Sequence, residues 1–195
     1  MSGVRLQRGL PTGTRRQAAV LYWAAFKGKL GRILGPERLG MDFIERGLDP
    51  AHAITAVDAN GRLLGIAGFK TESGALIGGG LGALTVVYGP FGALWRAPLL
   101  AALERPLEPG ILLMDGIAVA EAARGQGIGS ALLARVAEEG RARGARAIRL
   151  DVIDGNPRAR ALYERLGFEA AETNEVGILS SVLGFRSATV MRRTL

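Results

Sequence analysis

Between Ile111 and Val136 an apolar run, a glycine-rich stretch and an amphipathic segment follow one another directly, and this succession constrains the fold more than any other feature. Ile111-Leu112-Leu113-Met114-Asp115-Gly116-Ile117-Ala118-Val119 is apolar nearly throughout, the pattern of a central strand covered on both faces. Ile128, Leu132, Leu133 and Val136 then recur at helical spacing, with Glu138, Glu139 and Arg141 on the opposite side. Gly144 is placed to stop that helix. A further strand follows over 147–152, then a helix over about 157–166 ended by Gly167. Phe168 begins the next strand, and 188–191 forms the last. Strand, helix, strand, helix, strand implies α and β layers around a mixed sheet.

Upstream, Val4-Arg5-Leu6-Gln7 alternates as a first strand, and Thr12 or Thr14 caps a helix through about Phe26. Pro36–Arg46 reads as a second helix with proline in its first turn. His52–Val57 and Arg62–Phe69 flank Asn60-Gly61, a hairpin signal because that pair tolerates positive φ. From Ser73 to Trp95 no residue is charged, a length that would cross a bilayer as a helix. Glycines at 74, 78, 79, 80, 82, 89 and 92, with Pro90, disfavour such a helix and favour a buried or lid-like insertion over about 72–109, ending in a helix over about 94–104. No membrane partner is expected.

The chain has 195 residues, 29 of them glycine, with no repeat and no composition shift, so a single domain over 1–195 is expected. Cysteine is absent and His52 is the one histidine, which excludes thiolate nucleophiles, thiolate metal sites and a multi-histidine zinc site. No metal is expected. Met1–Arg8 lacks the apolar run of a signal peptide, so a cytoplasmic location is the expectation. His52 opens the hairpin and reads as strand-end surface. The formal charge of +7 is nearly all guanidinium, since the lysines are Lys27, Lys29 and Lys70 alone. Arg141, Arg143, Arg146 and Arg149 cluster at one helix end, where a solvated face explains them and no nucleic-acid module accompanies them.

Ala123-Arg124-Gly125-Gln126-Gly127-Ile128-Gly129-Ser130 carries the chemical signal. Three glycines in five positions let the backbone turn sharply and approach an anion, with amide groups aimed at a helix start. That is the outline of a pyrophosphate cradle; a ligand-free βα turn is the alternative. A dinucleotide fingerprint fits less well, because the spacing is G-x-G-x-G and no acidic residue ends the next strand at the ribose position. A phosphate-loop nucleoside triphosphatase fits worse, because no Lys-Ser/Thr pair follows the glycines. Downstream, Asn156 caps a helix begun by Pro157, and Ala159 and Tyr163 share one face of it.

Together these segments resemble the GNAT superfamily of acyl-CoA-dependent N-acetyltransferases. Arg124-x-x-Gly127-x-Gly129 matches its coenzyme loop, and Asn156-x-x-Ala159-x-x-x-Tyr163 with Leu166-Gly167-Phe168 matches its second half. The resemblance implies a mixed, mostly antiparallel sheet of about 6–7 strands flanked by helices, with a coenzyme-binding core over about 111–168. It implies acetyl-CoA as co-substrate and a small-molecule or peptide amine as acceptor. Backbone amides of Arg124, Gly125, Gln126, Gly127, Ile128, Gly129 and Ser130 would hold the pyrophosphate. Ile117, Ala118 and Val119 would pair with the pantetheine arm, Asn156 would hydrogen-bond it, and Tyr163 would protonate the leaving thiolate.

Direct attack of an amine on a thioester also needs a proton acceptor. Asp115, ahead of the pantetheine-binding stretch on the same strand, is favoured; a structural carboxylate or an anchor for the substrate ammonium are its other readings. Glu121, just past the strand, reads as a solvated loop residue. The insertion departs from the compact family pattern, and Tyr88, Phe91 and Trp95 within it stay open between an apolar acceptor pocket and a homodimer interface. A non-catalytic acyl-CoA-binding domain is the main alternative function, and a dinucleotide-dependent oxidoreductase stands third.

Overall fold

The computed structural model describes residues 3–177 and 180–195. Strand β1 (Arg5–Arg8) leads into helix α1 (Arg15–Leu34) and helix α2 (Glu37–Gly47). Strands β2 (Ala53–Val57) and β3 (Leu63–Lys70) form the expected hairpin. At its turn the Asp58 carboxylate accepts from the Asn60 and Arg62 amides at 2.9 Å each, and Gly61 takes a φ of +78°. Helix α3 (Gly80–Ala101) follows, then β4 (Ile111–Val119), α4 (Ile128–Ala142), β5 (Ala147–Ile153) and α5 (Pro157–Arg165). Strand β6 (Glu169–Glu175), a short α6 (Ser180–Leu183) and β7 (Ser187–Thr194) close the fold.

These strands make one seven-stranded sheet in the order β1-β2-β3-β4-β5-β7-β6. Every neighbouring pair is antiparallel except β4 with β5. β7 slots between β5 and β6 and pairs with both, an arrangement that strand spacing alone does not reveal. Each face of the sheet carries its own core. On one, α4 sets Ile128, Leu132, Leu133 and Val136 against Ile54, Ala67, Phe69 and Leu150. On the other, Ala18, Ala19, Tyr22 and Trp23 of α1 pack with Phe43, Ile44, Ile66 and Leu84. Burying side chains of this size contributes roughly 1.5–3 kcal/mol each, before the cost of ordering them.

Three expectations change. Helix α1 continues past Phe26 to Leu34, because Ile33 and Leu34 are fully buried and hold the last turns down in spite of Gly28 and Gly31. Thr14 stands at its start but does not cap it; the hydroxyl donates to the Pro11 carbonyl at 2.7 Å. The apolar insertion is helical from Gly80, well before the expected 94, with a kink at Gly89 (φ +71°, ψ 171°). The residue before a proline is driven to extended ψ, and glycine alone accommodates the positive φ that goes with it here. Among the described residues no helix is long and apolar enough to cross a membrane.

Candidate active site

β4 and β5 pair only at Ile111–Ala147, Leu112–Ile148 and Leu113–Arg149. Beyond Leu113, β4 stays with β3 and β5 stays with β7, so the two strands diverge. The divergence begins at a bulge: Gly68 faces Gly116 and Phe69 faces Met114, leaving Asp115 as the extra residue. A bulge bends its strand and sharpens the local twist. A cleft of about 690 Å³ opens there, bordered by α1 residues Ala24 to Lys29, by β4 from Met114 to Val119, and by α5. Gly116 lies so close to α1 that a Cβ there would come within 2.4 Å of Phe26 Cζ and push the ring aside.

One end of the cleft is built for an anion. Gly125 and Gly127 both have φ of +78°, and Gly127 stands at the N-cap of α4, where it offers no capping side chain. The first-turn amides of α4 are therefore free to bind, and the helix dipole favours negative charge beside them. A Cβ on Gly125 would meet nothing within 4 Å, so the space beside the turn is open. Arg124, Arg158 and Arg165 also line the cleft. These features fit the pyrophosphate of a coenzyme.

The other end is ionic and phenolic. Arg105, from the segment after α3, places Nη2 3.4 Å from Asp115 Oδ1 and Nη1 3.9 Å from Asp151 Oδ2. Asp151 also meets Arg149 at 3.3 Å; Arg149 meets Glu108 at 2.5 Å, and Glu108 meets Arg192 at 2.9 Å. Charges thus alternate along Arg192-Glu108-Arg149-Asp151-Arg105-Asp115, joining β7, β5 and β4 at the point of divergence. The Arg149 hydrogen bond, reinforced by Arg192, holds the Glu108 carboxyl below the ordinary range. Tyr163 projects from α5 and is 7% exposed. Burial pushes its phenol up to about 12, with Arg105 pulling slightly the other way. A phenol so placed keeps its proton at neutral pH and has one to donate. Tyr22, buried and near Asp115, is pushed up further.

The structure brings Asp115, Ile117, Ala118, Val119, Arg124, Gly125, Gly127, Ile128, Gly129, Ser130, Asn156 and Tyr163 around this one cleft. Gln126 lies outside it and donates from Nε2 to the Ala122 carbonyl at 3.2 Å. Asn156 caps α5, its Oδ1 accepting from the Ala159 amide at 3.1 Å, which leaves its NH₂ to donate to a ligand. Arg105 and Lys29 also line the cleft and were not expected there. Arg105 meets Asp115 and Asp151 only through the folded sheet, and Lys29 lies past the expected end of α1.

His52 is a correction. It is 3% exposed, not at the surface, with Nδ1 2.7 Å from Asp49 Oδ2 and Nε2 2.8 Å from Thr71 Oγ1. Burial opposes ionisation of Asp49, but the Ala51 amide and the His52 ring outweigh it and keep its carboxyl low. This knot ties the β2 start to the turn after β3 and lies away from the cleft. Tyr88, Phe91 and Trp95 line no part of the cleft either. Tyr88 donates to the Leu34 carbonyl, while Phe91 is 87% exposed. Of the arginine cluster, Arg143 pairs with Glu139 at 2.7 Å and Arg149 is half-buried in the ionic chain, so only part of that group is a solvated face.

A family model described as the acetyltransferase (GNAT) family matches residues 19–168. A GCN5-related N-acetyltransferase from Kribbella flavida is similar in structure, with a TM-score of 0.63 at 20% identity, covering 99% of this chain and 98% of that one. The ribosomal-protein-S18-alanine N-acetyltransferase from Escherichia coli gives 0.54 at 18% identity, over 98% and 93% of the two chains. A protein described as a streptothricin acetyltransferase, from Bacillus anthracis and in complex with acetyl coenzyme A, gives 0.51 at 13% identity over 73% and 61%. No curated protein sequence matches the chain.

Proposed function

Because the chain belongs to the GNAT acetyltransferase family, we propose that it transfers an acetyl group from acetyl-CoA to a primary amine by direct attack. The observation that carries this reading is the single cleft at the β4–β5 divergence, with free helix-start amides at one end and a protonated buried phenol at the other. When bound, acetyl-CoA supplies the thioester. The amides from Gly125 to Ser130 hold its pyrophosphate, the Arg124 amide being already given to the Glu121 carbonyl at 3.2 Å, and the β4 edge over Ile117–Val119, which has no strand beside it, receives the pantetheine amides. Asn156 donates from its NH₂ to the same arm. Tyr163 gives its proton to the departing sulfur. Asp115 and Asp151 attract the incoming ammonium, and Asp115 accepts its proton directly or through water, while Arg105 keeps two carboxylates tolerable in one small space.

Calorimetric titration of the purified protein with acetyl-CoA, with NAD as competing ligand, tests the reading. Saturable one-site binding of acetyl-CoA alone supports it, and thiol release with a panel of primary amines then finds the acceptor. Binding without turnover on any amine would favour a non-catalytic acyl-CoA-binding domain. No binding by folded protein would overturn the coenzyme assignment.

A further inference from the structure

Lys29 stands on the α1 border of the cleft, half-buried, in a lining that also includes Phe26, Arg105, Asp115 and Asp151. Its amine makes no hydrogen bond or ion pair with any described residue, although Asp115 of β4, Asp151 of β5 and Arg105 are close enough to act on it electrostatically. Arg105 is also the charge that acts on the Tyr163 phenol. Amine and phenol therefore share one charged neighbour and open on one cavity.

Burial is the main reason that the Lys29 ammonium is destabilised, with Arg105 adding to it and the two aspartates opposing. Its affinity for the proton falls from the ordinary 10.5 to about 8. At neutral pH roughly a tenth of such amines are uncharged, against well under a thousandth for an ordinary lysine. An uncharged amine held in position near a thioester needs no further activation to attack it, because positioning replaces a bimolecular encounter. The other two lysines lack this setting: Lys27 is exposed, and Lys70 pairs with Glu104 at 3.3 Å.

We propose that Lys29 is a self-acetylation site, an internal acceptor for the acetyl group held in this cleft. The inference rests on the acetyl-CoA reading given above. The Nζ lone pair forms a bond to the thioester carbonyl carbon, and the carbon–sulfur bond breaks with its electron pair leaving on sulfur. Sulfur takes the Tyr163 proton, and the proton lost by Nζ returns through solvent to the phenolate. The products are an amide on Lys29 and free coenzyme thiol, with no net change in protons. The acetylated side chain is neutral and longer, and it occupies the end of the cleft where an acceptor amine would enter. The reaction thus limits itself to one turnover per chain and closes the site behind it.

The test is incubation of the full chain with isotopically labelled acetyl-CoA, followed by peptide mass spectrometry, with Lys27 and Lys70 as internal controls for chemical acetylation. The expected result is one acetyl per chain on Lys29, at least tenfold above either control, formed at a rate independent of protein concentration. The rate should rise between pH 7 and 9, in line with the Lys29 ammonium losing its proton in the field of Arg105, Asp115 and Asp151. Lys29→Arg should keep its calorimetric affinity for acetyl-CoA and lose the label. Saturable binding of acetyl-CoA with Lys29 labelled no faster than Lys27 would overturn self-acetylation and leave the coenzyme reading intact. Absence of binding by folded protein would overturn both.

Discussion

Helices α3 and α4 are both long and both rich in apolar residues, yet they are used in opposite ways. α4 buries Ile128, Leu132, Leu133, Val136 and Ala137 against the sheet and turns its charged residues out. α3 has the more apolar sequence, but Leu84 and Ala93 are its fully buried residues, while Leu81, Val86, Phe91 and Leu94 remain exposed. It lies on α2 and α1, where one side of it packs Ala83, Leu84, Val87, Ala93 and Ala97 into the core and polar contacts fasten it further. The Tyr88 hydroxyl donates to the Leu34 carbonyl; Arg96 donates to the Ile33 carbonyl at 2.8 Å and the Gly35 carbonyl at 3.1 Å, satisfying the open carbonyls at the end of α1. Between these two helices it is periodicity, not apolar content, that separates the one lying flat on the sheet from the one half open to solvent.

That contrast can be broken or sharpened by measurement. Leu132→Ala, in the fully buried row of α4, should cost about 3–5 kcal/mol in denaturant unfolding; a loss under about 1 kcal/mol would mean the α4 core is not what holds the sheet. Tyr163→Phe should slow thiol release with a primary amine on the order of 10²-fold without weakening acetyl-CoA binding, and unchanged turnover would remove the phenol from the chemistry. Gly127→Val puts a branched side chain where φ is +78°, at a strain of about 1–2 kcal/mol, so acetyl-CoA affinity should fall roughly tenfold by calorimetry.

Lys29→Met should raise the thermal midpoint at pH 7 by a few degrees, for a gain of ~1 kcal/mol after allowance for partial exposure. The sign follows from the lowered folded-state value. Between about 8 and 10.5 the unfolded chain binds more protons at Lys29, so native stability rises with pH through that window. The advantage of methionine should therefore be full below pH 8 and gone above about 10.5; an equal gain at both ends would point to packing instead. Smallest of all, Phe91→Ser on the open face of α3 should change stability by no more than about 0.5 kcal/mol, and a larger loss would show that something covers that face in solution.

What could be read from the sequence was what local pattern encodes. The α4 stripe, the Asn60-Gly61 turn, the glycine loop and the Asn156 cap each depend on residues a few positions apart, and each stands where expected. What could not be read was what forms only when the sheet assembles. Arg105 meets Asp151, and Glu108 meets Arg149 and Arg192, across separations that no short-range pattern records. The cleft position of Lys29 depends on α1 continuing beyond Phe26, which buried Ile33 and Leu34 secure against two unfavourable glycines. His52 looked like surface because its Asp49 and Thr71 partners converge only once the hairpin is closed.

Three paired positions between β4 and β5 leave the rest of each strand without a strand neighbour on that side, deep within the sheet, with the Asp115 and Val119 carbonyls accepting instead from Arg105 and Arg124 at 3.4 Å each. Exposed strand edges invite other chains to add to them, and proteins ordinarily shield such edges at the sheet margin. Here the shield is α1, whose Ala24, Ala25, Phe26, Gly28 and Lys29 line the gap. The missing rungs thus turn backbone inward at a gap roofed by a helix, while the open margins of the sheet are β1 and the fully exposed β6.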